Sequence, residues 1–516
     1  MLAGSRQERL QLFVWRYDDV GTSRSRSSSF IGGLAAWLVG LRGASRAAWV
    51  SSLITLALMV VLLVQVTISS LANGAGAGGW FAHFSMAWVP MLGINIRFDL
   101  DGLSLVMLWL NALVSLPCAL LSSRNVADRA GLFHCLLLAT VAGINGVFMA
   151  TDLFLFFFFW ELMLLPLFGL ILIWGDAGRQ RAVLKFFLFT QGSGLLMLLA
   201  ILGLVIVNAQ RTNVITFDYF ALSQTALIAP IAPILMLGFF IAFAVKLPML
   251  PFHAWLPDTY AASPAAVSLL LSGVLAKTGG YGLIRFVVML FPEAATHLAP
   301  FAMTLGVVGI LYCAWLAVAQ DDIKRLIAYS SISHLGFILL GVFSGTRIGM
   351  EGAIAQMVAH GLSTGALFVI AGLLEDRLGT RDMSKMGGLW PAMPRFSALA
   401  MFFAAASLGL PGLGNFVGEF LVLMGTWQVS HTMTFFAAAG LVLSSVYSLT
   451  MMFRVFYGPK KTDVAAPLGA PSVPHIAVLG VAALLLLALG VYPQPVLNLS
   501  VPASPHIASI AQEQAQ

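Results

Sequence analysis

Six ionisable residues stand inside stretches of sequence that are otherwise apolar. They are Glu161 in FFFFWELMLLP, Lys246 in FFIAFAVKLPMLPFHAWLPD, Lys277 in VLAKTGGYGLIRF, His334 in YSSISHLGF, His360 in MVAHGLSTGALF and Glu419 in SLGLPGLGNFVGEF. A charge at the centre of a bilayer costs roughly 2.5–3.5 kcal/mol on insertion scales, so such residues mark ion or proton pathways by default. Desolvation disfavours the charged form of a side chain, and a neighbouring opposite charge favours it. Lysines, carboxylates and histidines held at depth can therefore exchange protons when a neighbour changes. That chemistry competes with plainer roles. Lys246 could snorkel to the inner interface, Glu161 could be a neutral acid that packs helices, Lys277 could sit in a structural ion pair, and each histidine could be a satisfied core residue. Arg285, two turns beyond Lys277, reads as an outer-end anchor. Metal binding is not expected, because no cysteine or carboxylate completes a ligand set around the histidines.

The elements that must hold these residues are membrane spans. The chain of 516 residues is 59% hydrophobic and 9% charged, with a mean hydropathy of +0.93. A soluble domain carries about 25% charged residues, so this composition implies a polytopic membrane protein. The formal net charge of +6 comes from basic residues scattered singly through short loops. No run forms a polybasic patch, which excludes nucleic acid as a partner. Cys118, Cys135 and Cys313 lie far apart in apolar runs and have neither iron–sulfur nor zinc spacing. The one G-x-G-x-x-G, at Gly74, Gly76 and Gly79 in NGAGAGGW, follows an apolar run and opens no helical pattern, so it is not a dinucleotide site. No redox or nucleotide cofactor is expected in this chain.

Apolar runs long enough to span a bilayer, about 20 residues each, occur near 47–72, 102–122, 132–150, 152–174, 186–208, 228–251, 263–291, 300–320, 324–344, 353–374, 396–424, 433–456 and 474–498. A fourteenth, FIGGLAAWLVGL at 30–41, is too short to cross unaided. Two spans are interrupted, after Lys246 by Pro248 and Pro251 and before Glu419 by Pro411. Broken helices at membrane depth line wet cavities or are buried in protein, and in corresponding halves of a chain they mark transporter repeats. The spacings agree: Glu161 and His334 are 173 residues apart, and so are Lys246 and Glu419.

Lys and Arg counts fix an orientation. With the C-terminus outside, inside loops hold sixteen basic residues and outside loops three, Arg97, Arg211 and Arg347, as the positive-inside rule requires. Residues 1–29 break the pattern with five arginines and GTSRSRSSS. They have no apolar core of a signal peptide, and we expect them to be foreign to the fold, through a frame error or wrong start before Phe30.

The motifs FFFFWELMLLP, FFIAFAVKLPMLPFHAWLPD, VLAKTGGYGLIRF, AQDDIKRLIAYSSISHLGF, MVAHGLSTGALF, RDMSKMGGLW and GLPGLGNFVGEF, in that order, resemble the antiporter-like membrane subunits of respiratory complex I. The resemblance runs from about residue 30 to 498 and extends to Mrp-type cation/proton antiporters. It implies an all-α polytopic fold of fourteen transmembrane helices with two inverted five-helix repeats, each containing a discontinuous helix. It places N-terminal helices at 30–131, the first repeat at 132–299, the second at 300–460, and a last helix and tail at 461–516. It implies proton translocation driven by quinone reduction elsewhere in a complex, L- and N-like antiporter subunits as partners, and a bacterial inner membrane location with the C-terminus periplasmic. By resemblance Glu161 is a control glutamate, Lys246 a switch lysine, Lys277 a connecting lysine, His334 and His360 a relay, and Glu419 the terminal acid. L- and N-type relatives typically carry a lysine at that last position, so Glu419 points away from them.

Overall fold

The computed structural model describes residues 45–72, 79–126, 128–225, 227, 230–459 and 473–500. The short 30–41 segment and the whole of 1–29 lie outside the described residues. Within the described residues, eleven helices are long and apolar enough to cross a membrane. They are α1 (Arg46–Ser69), α2 (Gly102–Ser122), α3 (Ala130–Met149), α4 (Leu153–Trp174), α5 (Arg179–Thr212), α8 (Ala265–Val288), α9 (Pro292–Val318), α10 (Ile323–Phe343), α11 (Arg347–Leu378), α14 (His431–Tyr457) and α15 (Val473–Val491). The two remaining expected spans are broken. One is α6 (Ile231–Lys246) followed by α7 (Trp255–Ala262). The other is α12 (Pro394–Ser407) followed by α13 (Gly414–Trp427). The thirteen clear apolar runs are thus all helical, eleven as long apolar helices and two as interrupted pairs.

Proline explains both breaks. Pro248 and Pro251 follow α6, and each removes an N–H and clashes with the preceding turn. Pro411 acts in the same way between α12 and α13. Helices α8, α10 and α11 are buried almost throughout, while α1, α14 and α15 expose apolar side chains. The helices that carry Lys277, His334 and His360 are therefore the centre of the bundle.

An antiparallel hairpin, β1 (Ala82–Val89) and β2 (Ile94–Leu100), occupies sequence that had read as a loop. It delivers Asp99 and Asp101 to the mouth of the bundle. Arg285 is not an end anchor: it is buried beside Asp101, with an N···O distance of 2.5 Å. Its guanidinium lies 4.6 Å from the Trp80 ring centre and 5.6 Å from that of Tyr281. A fixed counterion and two aromatic faces hold the arginine inside, where a lone arginine would have reached for water.

The inverted repeat is visible in hydrogen bonds. Asp152 caps α4 by accepting from the Phe154 and Leu155 amides. Asp322 caps α10 by accepting from the Lys324 and Arg325 amides. At the first cap, Leu153 N donates to Phe217 O and Tyr219 N to Thr151 O, both at 2.8 Å. At the second, Ile323 N donates to Arg381 O at 3.0 Å and Met383 N to Asp321 O at 2.8 Å. Each partner segment carries its own capping acid, Asp218 or Asp382. Five crossings separate the two caps, so α4 and α10 enter from opposite faces.

Charged side chains tie the repeats together at the face that holds α7. Asp258 accepts from Lys185 at 2.8 Å and from Arg325 at 3.0 Å. Lys324, itself buried, lies 2.6 Å from Glu375 and 3.4 Å from Asp176.

Candidate functional site: a buried file of ionisable side chains

Glu161 lies mid-way along α4, just before the helix loosens at Met163. Its Oε1 occupies the space where a β-carbon on Gly194 of α5 would stand, 2.3 Å away. Only glycine lets the two helices approach closely enough to bury the carboxylate there. Gln191 and Lys246 are its polar neighbours.

Lys246 is the last residue of α6 and only 1% exposed. It does not snorkel. Its Nζ lies 5.1 Å from the Trp160 ring centre and 5.8 Å from that of Phe186. Neither Nζ of Lys246 nor Oε1 of Glu161 has a hydrogen-bond partner among the described residues. The two attract without a direct ion pair, with aromatic rings in place of a bonded counterion. Trp255, beyond the break, donates Nε1–H to Val245 O at 2.9 Å and fixes the end of α6.

Lys277 is fully buried in α8, between two wide π-helical turns at Leu271–Leu275 and Leu283–Val288. π-turns inside α-helices occur often at functional sites. Nζ donates to the Ser272 carbonyl and lies 2.8 Å from Nδ1 of His360. The structural ion pair considered for Lys277 is absent among the described residues; the partner is an imidazole.

His360 of α11 and His334 of α10 stand with ring centres 5.7 Å apart. Nδ1 of His334 lies 2.7 Å from Oε1 of Glu419, which also accepts from Gln356 Nε2 at 3.0 Å. Nε2 of His334 lies 2.8 Å from Tyr447 Oη and 3.3 Å from Ser407 Oγ. Oε2 of Glu419 points at Gly409 in the break, where a β-carbon would come within 2.8 Å and φ is +77°. The second break thus makes room for the acid.

The six residues fall into two clusters. Glu161 and Lys246 form one. Lys277, His360, His334 and Glu419 form the second, as two hydrogen-bonded pairs, Lys277–His360 and His334–Glu419, whose imidazoles face each other at 5.7 Å between ring centres. No direct hydrogen bond joins the clusters among the described residues, although α8 meets the break closely: a β-carbon on Gly279 would stand 2.8 Å from Leu247 N. Unpartnered buried polar atoms recur along both clusters: Glu161 Oε1, Lys246 Nζ, His360 Nε2, Gln356 Oε1 and Glu419 Oε2. Buried polar groups normally find a protein or water partner, so their alignment is that of a polar path through an apolar bundle. Glu419 does stand beside His334, yet no group of three His, Cys, Asp or Glu forms a metal site among the described residues. Tyr447, Gln356, Ser407 and Gly194 were not found from sequence. Hydroxyls, amides and glycines are common inside membrane helices, and nothing local sets these four apart.

The family model for "NADH:quinone oxidoreductase/Mrp antiporter, TM" matches residues 150–447, the stretch that carries all six. NADH-quinone oxidoreductase subunit M of Pseudomonas aeruginosa is 50% identical over 91% of this chain and 94% of its own length. Subunit M of Escherichia coli K12 is 46% identical over the same shares. A chain of respiratory complex I from Thermus thermophilus superposes with a TM-score of 0.83 at 31% identity, covering 95% of this chain and 99% of that one. A chain of the Mrp complex from Dietzia has the same TM-score at 22% identity, a likeness of fold alone. The chain therefore belongs to the NADH:quinone oxidoreductase/Mrp antiporter family, among the subunit M proteins of NADH-quinone oxidoreductase.

Proposed function

We propose that this proton-translocating membrane subunit of NADH-quinone oxidoreductase moves protons along Glu161, Lys246, Lys277, His360, His334 and Glu419. The single observation that carries this is the run of buried ionisable groups with facing, unsatisfied polar atoms. Lys246 holds a proton while Glu161 is ionised beside it. When Glu161 is neutralised or withdrawn, that proton passes toward Lys277. The Lys277–His360 pair shares it, and His334 hands it to Glu419. Each unit of proton affinity is worth 1.36 kcal/mol, so a modest shift in the Glu161–Lys246 arrangement reverses the direction of transfer. Neighbouring membrane subunits of the L and N type supply that shift, and coupling between the sites is reciprocal. The chain itself works without a redox cofactor. It sits in a bacterial inner membrane with its C-terminus periplasmic, as the basic loops support. Residues 132–299 and 300–460 are the two repeats.

A freestanding Mrp-type antiporter is the weaker reading, because the Mrp likeness lies in the fold while the subunit M relatives share up to half of their residues with this chain. Lys246→Ala in native membranes tests the proposal. The complex should assemble, and NADH-driven quinone reduction and proton pumping should both be largely lost. Normal pumping in the assembled variant would overturn the role of Lys246.

A further inference from the structure

Four phenylalanines part the buried cations Lys246 and Arg285. Phe156 comes from α4, Phe239 and Phe243 from α6, and Phe286 from α8. Each is at most 1% exposed. Phe286 is the centre of the group. Its ring centre lies 4.3 Å from that of Phe156, 6.2 Å from Phe243 and 6.4 Å from Phe239. On one side the rings continue to Trp160, 5.8 Å from Phe156 and 5.3 Å from Phe243, and Lys246 Nζ sits over that indole. On the other side they meet Tyr219 at 5.8 Å and Tyr281 at 6.4 Å, the two phenols beside Arg285. The chain itself sets the boundary twice: Trp160 precedes Glu161, and Arg285 precedes Phe286.

Both flanks of this wall are polar. On the hairpin side, Arg285 pairs with Asp101, Asp101 accepts from the Ser104 amide, and Ser104 Oγ lies 3.2 Å from Tyr281 Oη. Asp99, two residues before Asp101, is bonded to Thr151 and to the half-exposed His83. On the opposite side stand Glu161 and Lys246. Among the described residues, no hydrogen bond or ion pair joins either of them to the hairpin cluster. A proton moves along hydrogen-bonded groups, and an apolar constriction that excludes water interrupts it. Resting on the proton-path reading above, we propose that Phe156, Phe239, Phe243 and Phe286 form a dry proton barrier between Lys246 and the hairpin end of the bundle. It denies a proton on Lys246 a way out beside Arg285 and leaves Lys277 as its acceptor.

Water enters a buried space only where several polar groups receive it. The four rings offer none, but their neighbours do. Lys246 Nζ and Glu161 Oε1 on one flank, and Arg285 Nε on the other, have no hydrogen-bond partner among the described residues. A polar side chain at position 286 therefore completes a wettable space, whereas an apolar one of the same length keeps it dry. Phe286→Gln and Phe286→Met differ in polarity far more than in shape. Each is tested as the purified whole complex in proteoliposomes, with proton influx followed under a potassium diffusion potential and without NADH. Phe286→Gln should pass protons severalfold faster than the unmodified complex, and Phe286→Met should stay as tight. Tightness of both would overturn the inference. Equal leakage of both would overturn it too, since bulk rather than dryness would then be the seal. If Phe286→Gln does not assemble, Phe156→Gln and Phe156→Met, at the ring closest to Phe286, are judged by the same outcomes. Pumping by Lys246→Ala separates the two ideas. A tight Phe286→Gln beside a Lys246→Ala complex that no longer pumps sinks only the barrier. A leaky Phe286→Gln beside a normally pumping Lys246→Ala sinks the path and leaves the barrier standing.

Discussion

The residue with the fewest alternatives is Glu161, because its carboxylate is placed by an absence. Gly194 leaves room that any side chain would fill, with a β-carbon position 2.3 Å from Oε1. Gly194→Ala should leave the fold standing, since a helix gains rather than loses propensity from that change. The methyl group must displace the carboxylate from its place beside Lys246. Pumping should fall by about tenfold with assembly intact, and assay of NADH-driven proton uptake in the assembled variant checks it. Unchanged pumping would mean that the distance between Glu161 and Lys246 does not govern the switch. Lys277 makes a complementary point. Its partner is His360 at 2.8 Å, so the proton in that contact belongs to the pair rather than to either residue.

At the scale of elements, the breaks and the buried helices divide the work. Both broken crossings could be read from Pro248, Pro251 and Pro411, because proline's effect is local. The thirteen apolar runs were legible for the same reason: hydrophobic length needs no tertiary context. The Asp101–Arg285 pair was not legible. Its members are 184 residues apart, and Asp101 arrives on a hairpin whose strand Ala82–Val89 does not alternate between buried and exposed side chains. Tyr447 was hidden similarly, 113 residues from His334. The cap register adds what spacing alone missed. Asp152 and Asp322 are 170 residues apart, against 173 for Glu161 and His334, so the histidine stands nearly one turn further along its helix than the glutamate. The repeats correspond as elements, and their charged residues are offset within them. The hairpin's acid yields a stability prediction. Breaking a buried pair by removing one partner costs about 3–5 kcal/mol. Asp101→Ala should lower the yield of assembled complex and its thermal midpoint, while Asp101→Ala combined with Arg285→Met should recover much of the loss. Equal instability of the single and double variants would show that the strand, not the charge, is what Asp101 secures.

For the whole molecule, orientation decides which direction the file conducts. Basic residues collect where one set of ends of the repeats is tied, at Lys185, Lys324, Arg325 and Arg381 around Asp176, Asp258 and Glu375, and the positive-inside rule predicts that this face is the inner one. Pairing with acids does not cancel the rule, because retention of loops inside follows Lys and Arg counts rather than net charge. The opposite face carries the hairpin and the loop after α5, with Arg97 bonded to Asp218. Ser384 and Val214 are exposed positions on the two faces. Cysteine at each reports the side directly. A membrane-impermeant thiol reagent should label Ser384→Cys in inside-out vesicles and Val214→Cys in spheroplasts. The native Cys118 and Cys313 are buried and Cys135 is half-buried within α3, so background labelling should be low. The mirror result would reverse the orientation. The ties at Asp258 and Lys324 would then face the compartment that receives protons, and the path from Glu161 to Glu419 would have to be driven the other way.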